Sequence, residues 1–285
     1  MLKEWLEILF CYKYSFNSIK RYNASNISNM SGVNELKREV PIIVSMSAKE
    51  EDFDELELSL YSIFKQTVLP DRVILWLSNE YELSELPYSI TRYVKNGLEI
   101  KFVEDKGSYN NTIYALKKFP NSILVTADNN IYYSNEWLKN LYHSYISAPN
   151  DIHVHQARVV NIQDNQILSM MTWQKNNDEN SSYKNFPVQN AGVLYPPKTF
   201  CVEVFRDDIY DKKLSVDWSV WSWFMALVSD RKIRIVKNHI NRLSCINLIK
   251  QLKKDIHLYK NISNIDNQFL ELMNYYKLNI IPKLK

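Results

Sequence analysis

The sequence predicts an α/β protein: a mixed, mainly parallel sheet flanked by helices, with helical additions at both ends. Three observations point there. Short apolar runs rich in β-branched residues recur between residues 41 and 126. Helical stretches of about 8–15 residues separate them, which is the pattern of βαβ units. The chain of 285 residues is 46% hydrophobic and 24% charged, which is ordinary globular usage. No apolar run approaches the roughly 18 residues that would suggest a membrane span.

Taken in order, Leu2, Trp5, Leu6, Leu9 and Phe10 recur at helical spacing, so residues 1–22 read as an amphipathic helix. The polar stretch 23–40 reads as a linker. Residues 41–46 are apolar and β-branched, the signature of a buried strand. Helical periodicity runs from Phe53 to Lys65, with Leu56, Leu60, Ile63 and Phe64 as its inner stripe. Strands follow at Arg72–Leu77, at Leu98–Val103 (entered through Gly97) and at Ser122–Thr126. A helix covers Asn111–Lys118, and another spans Asn135–Tyr145 with Ser134 as its expected N-cap. Ile152–Val160 reads as one strand, 161–190 as a polar region with a loop near 176–182, and Ala191–Tyr195 as a short strand. Val216–Val228 is helical and carries Trp218, Trp221 and Trp223. Lys232–Val236 is a last strand, and two amphipathic helices are expected over Arg242–Tyr276. The division is 1–40, a helix and linker; 41–240, the α/β domain; and 241–285, C-terminal helices.

Composition narrows the function classes. A net charge of +3 is too balanced to argue for nucleic acid. Four glycines leave no GxGxxG or Walker A loop. Cys11, Cys201 and Cys245 are odd in number and far apart, against a disulfide framework or zinc knuckle. Lys3, Glu4, Glu7 and Lys13 interrupt the first apolar pattern and no cleavage site follows, so a cytoplasmic location is expected.

Parallel sheets bind ligands beyond the carboxyl ends of their strands, near a switch in strand order. The loops after Met46, Val103 and Thr126 therefore matter most. The sharpest signal is Asp128-Asn129-Asn130 at the end of the fourth strand, because a carboxylate there can hold a divalent cation against phosphates. The same residues also suit a plain turn, since Asp and Asn favour turns.

Segment 41–160 resembles bacterial glycosyltransferases of the GT-A type, whose acidic turn is the DxD motif. The resemblance rests on residues 41–47, on SIFKQTVLPDRVILWLS (62–78), GLEIKFVEDKGSY (97–109), ILVTADNNIYYSNEWLKNLY (123–142) and NAGVLYPP (190–197). It implies transfer of a sugar from a nucleotide-sugar donor to a saccharide or lipid-linked glycan acceptor, in capsule, lipopolysaccharide or exopolysaccharide assembly. Peripheral association with the inner face of the membrane would fit such an acceptor. Residues from Ser45 through Ser47 to Glu50 would hold base and ribose, Asp105 would contact the nucleoside, and Tyr109 and Asn111 would complete the donor site. Asp128 and Asn130 would hold Mn²⁺ or Mg²⁺ on the diphosphate. Asp217 would be the base acting on the acceptor hydroxyl, with Trp218 and Trp221 stacking on sugar rings.

This chain departs from the pattern in three places. Asn129-Asn130 stand where relatives carry acids, Asn110-Asn111 stand where they carry lysines, and Trp218-Ser219 replace an acid pair. An alternative is therefore a weak or inactive relative acting as a binding or partner subunit. Nucleotidyl transfer ranks below both, because residues 45–49 contain no glycine. His153 and His155 read as strand packing rather than metal ligands. Asp207-Asp208 reads as a solvated pair, and His239 is a weak candidate third metal ligand.

Overall fold

A computed structural model describes residues 32–176, 178–211, 217–236, 244–247, 249–253 and 262–284. The expected helix over 1–22 and His239 lie outside the described residues. The fold is the expected mixed, mainly parallel sheet flanked by helices.

The strands in chain order are β1 (Ile42–Ser47), β2 (Arg72–Ser78), β3 (Leu98–Val103), β4 (Ile123–Thr126), β5 (Ile131–Tyr132), β6 (Ile152–Val154) and β7 (Ala157–Val159). Then come β8 (Ile162–Gln163), β9 (Gln166–Ile167), β10 (Gln174–Asn176), β11 (Ser181–Ser182), β12 (Asn185–Pro187), β13 (Val193–Tyr195), β14 (Ile233–Ile235) and β15 (Ser244–Cys245). The main sheet has the order β11-β14-β6-β13-β4-β1-β2-β3. Pairs β3–β2, β2–β1, β1–β4 and β6–β14 are parallel, whereas β13 and β11 run antiparallel to their neighbours.

Both faces of the sheet are covered, which is why β1 and β2 read as unbroken apolar runs. Alternation divides their side chains between two cores. Ile42, Val44 and Met46 enter one, with Leu56, Leu60 and Ile63 of helix α1 (Phe53–Ile63). Ile43 enters the other, with Ile113 and Ala115 of α2 (Asn110–Lys118). Helix α3 (Trp137–Ser147) packs Leu138 and Leu141 into the first core. Helices α4 (Trp218–Val228) and α5 (Ile262–Tyr276) meet in the second, where Trp173, Phe186, Trp223 and Phe269 pack edge to face. Gly97 enters β3 at φ +103°, a conformation L side chains rarely adopt, as its place at a helix-to-strand turn suggested.

Four expectations need correction. Ser134 is not the cap of α3: the cap position is Glu136, and Ser134 contributes only its carbonyl, which accepts from the Trp137 N–H. The strand expected over Ile152–Val160 breaks at His155-Gln156 and serves two sheets, β6 in the main one and β7 in a second of order β10-β7-β12. The loop expected near 176–182 is bounded by strands: β10 of that second sheet ends at Asn176, and β11 at Ser181–Ser182 joins the main sheet. Trp218 and Trp221 are 2% and 0% exposed, so they are core side chains and present no face for a sugar.

Candidate functional site

Strand β4 lies on one side of β1 and β2 on the other, so the strand order reverses between β1 and β4. Ser47 ends β1, and the turn 128–130 leaves β4 beside it. This is the crevice position that open α/β sheets use for ligands.

The turn is held from several directions. The Asp128 carboxylate accepts from the Asn130 N–H at 2.8 Å, closing an Asx-type turn. Its own N–H donates to the Tyr133 hydroxyl at 2.7 Å, and that hydroxyl donates to the Asn190 carbonyl at 2.9 Å. Complete burial, with the Asp128 charge adding to it, pushes the Tyr133 phenol well above its ordinary value and keeps it protonated. Ser59 donates to the backbone oxygens of Asn129 and Ile131.

Asn129 and Asn130 face inward. The Asn129 amide donates to the Ser47 carbonyl at 3.0 Å and to Asp52 at 2.9 Å, while its buried Oδ1 has no hydrogen-bond partner among the described residues. Asn130 is 0% exposed. Its Oδ1 accepts from the Asn247 N–H at 3.0 Å, and its amide donates to Cys245 Sγ at 3.4 Å. Beside it, β15 pairs with β5. Lys250 reaches Asp52 at 2.6 Å and Glu55 at 3.2 Å, and Asn247 donates to Glu55 at 2.6 Å. Partial burial lowers the Lys250 pKa, but the two carboxylates outweigh it and leave the ammonium above its ordinary value. Residues 244–247 and 249–253 are thereby clamped onto the turn.

The two residues expected to share a metal therefore part. Asp128 faces a cavity, whereas the Asn130 oxygen that would ligate is consumed by Asn247. Among the described residues no group of three His, Cys, Asp or Glu side chains converges as a metal set. Among the described residues the side chains around Asp128 do not assemble a divalent-cation site, and no reaction step is assigned to one. His153 and His155 are buried in the main sheet, donating to the Ala148 and Trp137 carbonyls. Burial drives both down to about 4, so both are neutral packing groups.

The cavity measures about 500 Å³. Asp128 and Asp217 line it together, with Gln156, Arg158, Lys175 and Gln189. Asp217 caps α4: its carboxylate accepts from the Ser219 N–H at 2.6 Å. The structure thus brings Asp128 and Asp217 to one hollow, although 89 positions separate them in sequence.

The remaining expected residues sit elsewhere along the edge. Asp105 is exposed and accepts from the Gly107 N–H and the Asn110 amide, with Lys49 at 3.5 Å. Burial raises its pKa, but these partners outweigh that and hold the carboxyl below its ordinary value. Asp105 does not line the Asp128–Asp217 cavity, and neither do Ser47, Glu50, Tyr109 or Asn111. Ser45 is fully buried; its hydroxyl donates to the Asn111 carbonyl and accepts from the Trp76 indole. It ties β1 to α2 and β2 and leaves nothing for a nucleoside. Tyr109 is buried edge-on against Trp218. The Asn111 side chain accepts from Thr112. Glu50 is exposed in the helical turn after β1. Gln156, Arg158, Lys175 and Gln189 were not singled out from sequence: Lys175 sits on the polar β10, Arg158 on β7, and Gln156 and Gln189 fall between strands, where no local pattern marks them.

The fold and cavity define an α/β protein with a crevice at the carboxyl edge of its sheet. No known family pattern matches the chain, and no curated protein matches it. Similar solved structures include S. aureus TarS 1–349 in complex with UDP, at 14% identity and a TM-score of 0.48, covering 72% of this chain and 59% of that one. The same protein without a named ligand gives 12% identity and a TM-score of 0.46 over the same shares. A 4-diphosphocytidyl-2C-methyl-D-erythritol synthase is similar at 10% identity and a TM-score of 0.46, over 78% of this chain and 100% of that one. The chain thus spans about three fifths of the TarS fragment's length. No helix among the described residues is long and apolar enough to cross a membrane.

Proposed function

We propose that this chain transfers a sugar from a nucleotide-sugar donor to a glycan acceptor in surface polysaccharide assembly. One observation carries the reading: Asp128, beyond the end of β4, and Asp217, at the head of α4, open into the same cavity beside the strand-order switch. Two carboxylates at the edge of such a cavity can divide the work. Asp217 takes the proton of the attacking acceptor hydroxyl. Asp128 orients the donor. The new bond forms at the anomeric carbon as the bond to the nucleotide breaks, and direct attack by one assisted hydroxyl inverts that centre.

The exposed strip formed by Ser47, Glu50 and Asp105 is where the nucleoside would lie, with Lys49 beside Asp105. Calorimetry with UDP, with and without Mn²⁺, tests the donor site; turnover of a nucleotide-sugar panel by native chain and Asp128→Ala tests the chemistry. UDP binding and donor consumption that collapses in Asp128→Ala are expected. Donor consumption untouched by Asp128→Ala removes that residue from the mechanism.

A second reading, a binding subunit without turnover, is favoured by the inward Asn129 and Asn130. UDP binding with no consumption of any donor would select it.

A further inference from the structure

We propose that Arg158 and Lys175 form an anion site inside the cavity, and that the acceptor is an acidic saccharide whose phosphate or carboxylate sits on them. This rests on the transfer reading above and names the substrate class for it.

Strands β7 and β10 are antiparallel, and Arg158 stands directly opposite Lys175. Directly opposed residues share a face, with their Cβ atoms about 5 Å apart, and like charges so placed destabilise the pair. No ion pair among the described residues offsets this. Among the described residues the Lys175 side chain makes no hydrogen bond or ion pair, and the Arg158 side chain makes one long hydrogen bond, to the Trp173 carbonyl at 3.4 Å. Both side chains line the 500 Å³ cavity. The two carboxylates lining that cavity each accept a backbone N–H, Asp128 from Asn130 and Asp217 from Ser219, and among the described residues neither forms an ion pair with Arg158 or Lys175. Two opposed cations in a hollow are relieved by an anion lying between them. Arginine is suited to the role, because its planar fork matches the oxygens of phosphate and carboxylate.

The rest of the lining says what carries the anion. Gln156, Gln189 and Asn190 offer neutral donors and acceptors for hydroxyls, and Val188 and Val220 offer apolar surface. That mixture fits a sugar ring. The residues assigned to the nucleoside do not line the cavity, although Asp128, assigned to the donor, does; the anion is given to the acceptor, and the UDP titration below tests that assignment.

The test uses the full chain. Glucose, glucose 6-phosphate and glucuronate are titrated into native protein, Lys175→Gln, Arg158→Gln and Lys175→Arg, with UDP titrated separately. At least one acidic sugar is expected to bind about tenfold or more tighter than glucose, the size of one charge-assisted hydrogen bond. That preference is expected to vanish in both glutamine variants, return in Lys175→Arg, and weaken as salt rises. Preference for glucose 6-phosphate alone identifies phosphate; preference for glucuronate alone identifies carboxylate. The proposal is overturned if acidic sugars bind no better than glucose, or if their preference survives both glutamine variants. It is also overturned if UDP affinity falls in step with that of the acidic sugars, which would give the cations to the donor. A native chain that binds no UDP sinks the transfer reading, while the sugar titrations still decide the anion site. Lys175 has no bond to lose, so its variant retains the fold, which circular dichroism checks.

Discussion

The turn at 128–130 and the wall built from β7 and β10 border the same cavity but use polar side chains in opposite ways. In the turn, Asn129, Asn130 and the neighbouring Asp52, Glu55, Asn247 and Lys250 hydrogen-bond or ion-pair with one another, and of the turn's side chains only Asp128 faces the cavity. In the wall, Arg158 and Lys175 oppose each other with no ion pair among the described residues. Satisfied polar groups in a dry interior fix a shape. Cations held in a like-charge register cost stability and are kept ready for something that arrives. The difference teaches that neighbours in one sequence motif part company in the fold: Asn129 and Asn130 turn inward to build the scaffold, while Asp128 lines the cavity beside Arg158 and Lys175.

The sharpest way to break this contrast is Asp217→Asn. Asparagine caps a helix as well as aspartate does, so the thermal midpoint should hold. It cannot accept a proton, so turnover should fall about 10²–10⁴-fold, the range for loss of a general base. A fall in stability with turnover intact would make Asp217 part of the scaffold only. Next comes Asn130→Asp. A charge at a fully buried position should cost about 2–4 kcal/mol in urea unfolding. Manganese affinity should not rise; a rise would mean the side chain reaches the cavity after all.

Lys250→Met should cost about 2 kcal/mol, because it leaves two largely buried carboxylates without their cation. Its pH signature has a definite sign. The folded pKa is raised, so the clamp is fully present below the ordinary lysine value and is lost as pH rises through the folded one. The native chain should therefore lose stability at strongly alkaline pH by more than the methionine variant does. The smallest effect belongs to Lys175→Gln. Relief of cross-strand repulsion should leave the melting temperature unchanged or raise it by a few tenths of a kcal/mol equivalent. A clear drop would show that Lys175 has a structural partner, and would end the contrast.

Much of the first half was legible because period and burial agree there. Strands β1 to β4 are short apolar runs, and α1 shows its inner stripe at Leu56, Leu60 and Ile63. The second half was less legible. β10, with Gln174, Lys175 and Asn176, is polar throughout, so no alternation announces it. Asp128 was visible because a strand visibly ends before it. The inward direction of Asn130 was not, since its partner Asn247 is 117 positions away and no local pattern encodes that meeting. The three tryptophans of α4 illustrate the same limit: helical spacing could not tell a sugar platform from a core that α5 covers.

The clamp between Asn130 and Asn247 also bears on synthesis. At about 5–20 residues per second, translation delivers residue 247 some 6–23 s after residue 130. Through that interval the Asn130 side chain has yet to meet the backbone N–H that it accepts from in the finished fold, so the turn can take its final form only after the last sixth of the chain begins to emerge.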